Sequence, residues 1–280
     1  MPPFQKIAFV VNQQKNGATQ LARELMALAR TAGATRIKSV SSRQIPAGYF
    51  KGCDACCVIG GDGTLLGAVR ETTRAGIPII GVNQGSLGFL TTFSPEEARA
   101  NFSELVQGSY QIASRTLLDC QTGARRRDIA LNDVLIKAEV NSRLVRLEVH
   151  ADGELVTDYL CDGLVFSTPT GSTAYNLSAG GPIVHPAGRV IAMTPICPHT
   201  LSNRTIVFPD SVHLKIFNRS GGSRLLVAMD GQRNRVVTEG SPIAVTVADR
   251  QLALVQRPDY SHFGVMRTKL KWSGGLTDKK

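Results

Sequence analysis

Apolar runs of strand length alternate with stretches of helical periodicity over about the first 110 residues, and beyond them the helical period all but disappears. Residues 6–12, Lys-Ile-Ala-Phe-Val-Val-Asn, form a continuous apolar run, the pattern of a strand buried on both faces. Leu21, Leu25, Leu28 and Ala32 then share one helical face, and Gly33 stands where a helix would end. Further strands are predicted over 35–40, 55–59 and 78–82, with a helix from about Leu65 between the last two. Ser94-Pro95-Glu96-Glu97 reads as a capping box with Pro at the first helical position, followed by an apolar face of Ala98, Phe102, Leu105 and Val106. This alternation predicts an α/β domain with a mostly parallel sheet over residues 1–110.

From Tyr110 onward the pattern is short and β-rich. Strands are predicted over 129–137, 143–150, 163–168, 205–208, 212–217, 224–229, 243–247 and 252–256, with one short helix near 172–179. Asp152-Gly153, Gly221-Gly222 and Glu239-Gly240 punctuate them as turns. Residues 111–257 are therefore expected to form an all-β, sandwich-like domain. Residues 258–280 carry too little pattern to place. The expected fold class is α/β plus all-β: a Rossmann-like α/β domain, then a β-sandwich-like one.

Within the first domain, Gly60-Gly61-Asp62-Gly63-Thr64 follows the apolar run Cys56-Cys57-Val58-Ile59 and precedes Leu65, Val69 and Thr72 at helical spacing. The glycines thus fall at a strand-to-helix turn, at the carboxyl end of a strand, where α/β sheets bind ligands. Glycine lets backbone approach a bulky anion, and a helix start offers unpaired N–H groups to it. Asp62 is the unexpected residue. A carboxylate beside a phosphate cradle repels the ligand unless it takes a proton or works through a metal ion.

Composition narrows the ligand. The net charge of +10 favours anionic partners, but the basic residues are mostly scattered and aromatics are sparse, so small anions rank above nucleic acid. Arg125-Arg126-Arg127 reads as a solvated turn between strands. No run reaches the ~20 apolar residues of a membrane span, and the N-terminus lacks a signal-peptide layout, so a cytoplasmic location without membrane association is expected. Cys53, Cys56 and Cys57 offer a Cys-x-x-Cys spacing, yet there is no second pair and two of the three fall inside a strand; buried small hydrophobes are the better reading, and no metal ligands are assigned.

The second dense stretch runs from Asp162 to Pro182 and packs hydroxyls, an amide, a phenol and four glycines around the apolar Leu164-Val165-Phe166. Such side chains suit a ligand rich in hydroxyl and phosphate groups, and Tyr175 offers a face to a base. The glycine turn alone is shared by lipid kinases and phosphofructokinases. Together with Asn132-Asp133, the 162–182 segment, Cys197-Pro198-His199-Thr200-Leu201-Ser202 and Asp230-Gly231-Gln232, in that order along nearly the whole chain, it resembles the NAD kinase family.

That resemblance implies phosphorylation of the adenosine ribose 2′-hydroxyl of NAD by ATP or polyphosphate, Mg²⁺ accompanying the nucleotide, in a homodimer or homotetramer. It implies Asp62 as the proton acceptor and Gly63 as the point of close backbone approach. Asn132 and Asp133 match the family's Asn-Glu pair, binding adenine or ribose. Thr173, Ala174, Tyr175, Asn176, Leu177 and Ser178 match the dinucleotide-binding segment; Asp162 would act near the nicotinamide, and Gln232 completes the set. Three departures bear on substrate preference: Asp133 is one methylene shorter than the usual Glu, Leu160 stands where some relatives carry Arg, and Arg143 falls at another variable dinucleotide-contact position, where an exposed strand arginine reads nearly as well. A lipid kinase and a non-catalytic dinucleotide sensor remain the competing readings; retention of Asp62 favours an enzyme.

Overall fold

The structure is a computed structural model and describes residues 1–85, 88–123, 126–140, 144–200, 202–238, 240 and 242–272. The elements in chain order are β1 (Lys6–Val11), α1 (Ala18–Thr31), β2 (Arg36–Ser41), β3 (Ala55–Gly60), α2 (Asp62–Ala75), β4 (Ile79–Asn83), α3 (Pro95–Val106) and β5 (Gln111–Arg115). Next come β6 (Leu118–Thr122), β7 (Arg126–Ala130), β8 (Asp133–Ala138), β9 (Val145–Ala151), β10 (Glu154–Cys161) and β11 (Gly163–Ser167). A 3-10 turn (Thr170–Thr173) and the one-turn α4 (Tyr175–Ser178) lead to β12 (Val190–Ile196), β13 (Ile206–Pro209), β14 (Leu214–Asn218), β15 (Leu225–Met229), β16 (Arg233–Val237) and β17 (Ile243–Val247). The chain ends with β18 (Leu252–Gln256) and α5 (His262–Leu270).

Two compact units result: Met1–Ser114 with the chain from Leu252 on, and Arg115–Gln251. The first holds a sheet in the order β2-β1-β3-β4-β18-β5, in which β1 pairs parallel with β2 and β3, and β4 parallel with β3 and β18. β3 and β4 are buried along their whole length, as their unbroken apolar character requires. Leu21, Ala22, Leu25 and Ala29 of α1 and Phe102 and Leu105 of α3 pack with Phe9, Cys57 and Val82 of the strands. The capping box forms: the Ser94 hydroxyl accepts the Glu97 N–H at 3.1 Å and the Glu97 carboxylate accepts the Ser94 N–H at 2.8 Å. Because β2 and β3 flank β1 on opposite sides, the sheet changes winding direction between β1 and β3, and the glycine turn leaves β3 at that point.

The second unit is two antiparallel six-stranded sheets, β10-β9-β14-β17-β6-β7 and β13-β12-β11-β8-β15-β16. Their facing side chains, among them Val134, Ile136, Leu147, Val149, Leu164, Phe166, Ile216 and Val227, share one core.

Three expectations change. The second domain was expected to close at 257 and the tail to stay unplaced; instead the chain returns, Leu254 of β18 pairing beside Ile79 of β4 and α5 forming behind it with Ser261 as its N-cap. A strand that completes a parallel sheet from far along the chain carries no local sign of its partner. The strand predicted over 129–137 is two, β7 and β8, broken at Leu131-Asn132. Of the triple arginine, Arg126 and Arg127 lie in β7, with Arg127 paired to Asp119 at 3.4 Å, while Arg125 lies outside the described residues.

Candidate active site

In the first unit the glycine turn is built to close tolerances. A Cβ on Gly60 would lie 2.4 Å from the Thr64 hydroxyl, so only glycine lets the chain turn from β3 straight into α2. Gly61 is extended and caps α2 without a side chain, which brings Asp62, Gly63 and Thr64 into the first turn, earlier than the predicted start at Leu65. An acidic residue there meets the positive end of the helix dipole. Neighbouring strand ends are tied to the turn: the Asn12 amide donates to Thr64 Oγ1 at 3.1 Å, and the Gln84 N–H donates to the Gly60 carbonyl at 2.7 Å. Gly60→Ala is expected to destabilise the protein by about 1–3 kcal/mol and to depress activity further, checked by urea melting beside turnover.

Asp62 is partly buried and heavily engaged. Its Oδ2 accepts the Phe89 N–H at 2.8 Å; its Oδ1 accepts the Leu90 N–H at 3.2 Å, the Thr91 N–H at 3.0 Å and the Thr91 hydroxyl at 3.0 Å. A Cβ on Gly88 would lie 2.0 Å from Asp62 Oδ1, so glycine is what allows the 88–91 segment to wrap the carboxylate. Three of the four donors converge on Oδ1, which leaves Oδ2 with one partner among the described residues and an open acceptor site. Sequence reading missed these partners; the one signal for them was the glycine at 88.

The neighbouring cysteines are structural. Cys56 and Cys57 are fully buried in β3, and burial pushes both thiols well above their ordinary range, away from the thiolate a metal needs. Among the described residues no group of three or more His, Cys, Asp or Glu is placed to hold a metal ion.

In the second unit, Asn132, Asp133, Ala174 and Tyr175 line a cleft of about 310 Å³, joined by Leu135, Ala228, Asp230 and Gly231. The Asn-Asp pair stands at the break between β7 and β8, and Tyr175 opens α4 with 43 % of its surface exposed. Asp133 is buried, and that burial, with the Asp230 charge as a second cause, raises its carboxyl from 3.8 to about 7. Burial likewise raises the Asp230 carboxyl, against three backbone N–H bonds and Arg233, which lower it.

The remaining expected residues are placed differently. Asn176 is fully buried and its amide serves the fold: Nδ2 donates to the Ser172 and Pro182 carbonyls, and Oδ1 accepts from the Thr194 hydroxyl at 2.7 Å. Its side chain holds the segment together rather than lining the cleft. Thr173, Leu177, Ser178, the exposed Asp162 and the exposed Gln232 do not line the cleft either. Gln232 closes the β15–β16 hairpin, its N–H reaching the Met229 carbonyl at 2.9 Å. Arg143 lies outside the described residues.

Residues 41–110 match the ATP-NAD kinase N-terminal domain and residues 131–257 match the ATP-NAD kinase C-terminal domain. The chain belongs to the NAD kinase family. It is an enzyme of that family by sequence as well: it is 40 % identical over 229 residues to the NAD kinase of Azotobacter vinelandii, covering 80 % of this chain and 78 % of that one. To the NAD kinase of Pseudomonas fluorescens it is 41 % identical over 229 residues, covering 80 % and 77 %. The fold is similar to that of yeast NADH kinase complexed with NADH (TM-score 0.83, 24 % identity, 100 % of this chain and 91 % of that one). It is also similar to an NAD kinase from Archaeoglobus fulgidus in complex with ATP (TM-score 0.79, 23 % identity, 95 % and 98 %). Among the described residues, no helix is long and apolar enough to cross a membrane.

Proposed function

We propose that this NAD kinase transfers the γ-phosphoryl group of ATP to the 2′-hydroxyl of the adenosine ribose of NAD, with Asp62 as general base. The observation that carries the reading is a carboxylate in the first turn of α2, leaving the sheet where its winding reverses, with Gly60 and Gly88 beside it each too tightly packed to carry a side chain. A ribose hydroxyl is a poor nucleophile at neutral pH. As its oxygen bonds to the γ-phosphorus, its proton passes to an Asp62 oxygen and the bond from that phosphorus to the ADP oxygen breaks. Oδ2, which accepts the Phe89 N–H alone among the described residues, keeps a lone pair for this proton, whereas Oδ1 already accepts three bonds.

In the proposed Rossmann-like first domain the glycine turn cradles the donor's phosphates, Gly63 lets the backbone approach the dinucleotide, and polyphosphate is a second candidate donor. With no cage for it among the described residues, a divalent ion is expected to arrive on the nucleotide, where it neutralises phosphate charge, and no step here is routed through it. Asn132 and Asp133 bind the adenosine half of NAD, and Tyr175 packs against its base; both sides of this contact belong to one cleft of suitable chemistry. The proposal extends to a cytoplasmic homodimer or homotetramer, which light scattering on purified protein tests.

Kinetics with each substrate varied test the binding assignment. Asn132→Ala and Tyr175→Ala are each expected to raise the KM for NAD roughly 3- to 30-fold and to leave the KM for ATP within twofold. Unchanged NAD kinetics in both variants would remove the cleft from the mechanism.

A further inference from the structure

The break between β7 and β8 is held from both sides. On one side Asp230 accepts the Leu131 N–H at 3.0 Å, the Asn132 N–H at 2.7 Å and the Asp133 N–H at 3.3 Å, and its own N–H donates to the Asp133 carbonyl at 2.9 Å. On the other side the Thr168 hydroxyl donates to the Leu131 carbonyl at 2.6 Å, and the Thr168 N–H donates to the Asn132 carbonyl at 2.9 Å. A Cβ on Gly171 would lie 2.0 Å from that Asn132 oxygen, so the loop is also packed to contact there. These bonds occupy the three successive N–H groups and all three carbonyls of the bend.

Asp230 is an expensive residue for the place it occupies. Its side chain is fully buried, and its nearest cation, Arg233, lies 3.9 Å away while bonding Asp128 at 3.3 Å. Its φ is 53° and that of Gly231 is 60°, so the pair forms a turn of the kind that Asn-Gly or Gly-Gly closes without burying a charge. The three N–H groups of the 131–133 bend are what the carboxylate gains.

We propose that Asp230, with Thr168 opposite, is a positioning residue for the dinucleotide: it fixes the backbone of Leu131–Asp133 so that the Asn132 and Asp133 side chains face the cleft in binding register. This rests on the assignment of NAD to that cleft. Asp230 needs no contact with NAD for this; it acts through the pair it holds.

The test is steady-state kinetics on the full-length enzyme with NAD and ATP varied separately, using Asp230→Asn and Thr168→Val, with Asn132→Ala as reference. Asn keeps the shape of Asp230 but turns an N–H toward backbone N–H groups; Val keeps the shape of Thr168 and removes its hydroxyl. Each variant is expected to raise the KM for NAD, by tenfold or more for Asp230→Asn and by severalfold for Thr168→Val. The KM for ATP should stay within twofold and kcat should change less than the KM for NAD. A folded Asp230→Asn protein with wild-type KM for NAD, or one in which both KM values rise together, overturns the proposal. Should Asp230→Asn not fold, Thr168→Val decides by the same criterion. If Asn132→Ala itself leaves NAD kinetics unchanged, the assignment of the cleft fails and this proposal fails with it. An impaired Asn132→Ala beside a normal Asp230→Asn overturns the positioning role alone.

Discussion

Asp62→Asn is expected to lower kcat by about 10²–10⁴-fold while NAD binding persists, the range typical for removal of a general base. Asn matches the shape of Asp but takes no proton at neutral pH. The structure adds a second expectation. Asp62 accepts the N–H groups of Phe89, Leu90 and Thr91 together with the Thr91 hydroxyl, and an amide in its place has one acceptor oxygen where the carboxylate has two. The amide N–H would then face a backbone N–H, leaving a partly buried donor unsatisfied, at a cost of about 1–3 kcal/mol. The variant should therefore melt earlier than the wild type, and turnover should be compared well below both melting temperatures. Loss of activity with NAD titrating normally by calorimetry supports the base. Turnover within a fewfold of wild type would leave the enzyme a kinase and give Asp62 a structural role in holding the 88–91 segment.

Stability should fall as pH rises from 4 to 7, and Asp133 should account for part of the fall. Burial, followed by the neighbouring Asp230 charge, raises its carboxyl to about 7 in the folded chain, against an ordinary value of 3.8. Below pH 4 both folded and unfolded chains hold the proton and Asp133 costs nothing. Between the two values the unfolded chain releases the proton while the folded one keeps it, so the unfolded state gains; above pH 7 the difference is constant. A shift of this size corresponds to an upper limit of about 4 kcal/mol, with roughly 1–3 kcal/mol expected after local relaxation. Asp133→Asn should therefore raise the urea midpoint at pH 8 and leave it unchanged at pH 4. Equal midpoints for the two proteins at pH 8 would contradict the buried, proton-holding carboxyl. The same titration bears on binding. An ionised Asp133 accepts from ribose hydroxyls, so the KM for NAD should fall as pH rises through 7 in the wild type and stay flat in Asp133→Asn.

Much of the first unit was legible in the chain because its signals are local. The unbroken apolar run at 55–59 requires a doubly covered strand, Ser94 to Glu97 carry a complete capping box, and the glycines at 60 and 61 mark the turn. What escaped depends on distant partners. β18 is one of several apolar pentamers, and nothing within Leu252–Gln256 distinguishes pairing beside β4 from pairing in the second unit's sheets. β10 exposes two of its apolar residues, Leu155 and Leu160, β12 contains Pro195, and β16 alternates exposed Asn and Val with half-buried Arg; none shows an apolar period clear enough to read.

The candidate site divides the same way. Asn132, Asp133, Ala174 and Tyr175 were readable as a set and meet in one cleft. Asn176 reads equally well as a ligand contact and as a scaffold amide, and only its buried bonds to Ser172, Pro182 and Thr194 show the second. Asp230 was visible as part of a hairpin Asp-Gly. Its hold on residues 131–133, about a hundred positions away, was not.

The most direct measurement of the central claim is the position of the new phosphate. Purified protein is incubated with ATP, Mg²⁺ and NAD, and the product is examined by phosphorus NMR beside an assay with an NADP-specific dehydrogenase. A 2′-phosphomonoester that the dehydrogenase accepts, formed at a rate that collapses in Asp62→Asn, is the predicted result. A product phosphorylated elsewhere on the dinucleotide, or no phosphate ester from a folded protein that binds both substrates, would contradict it.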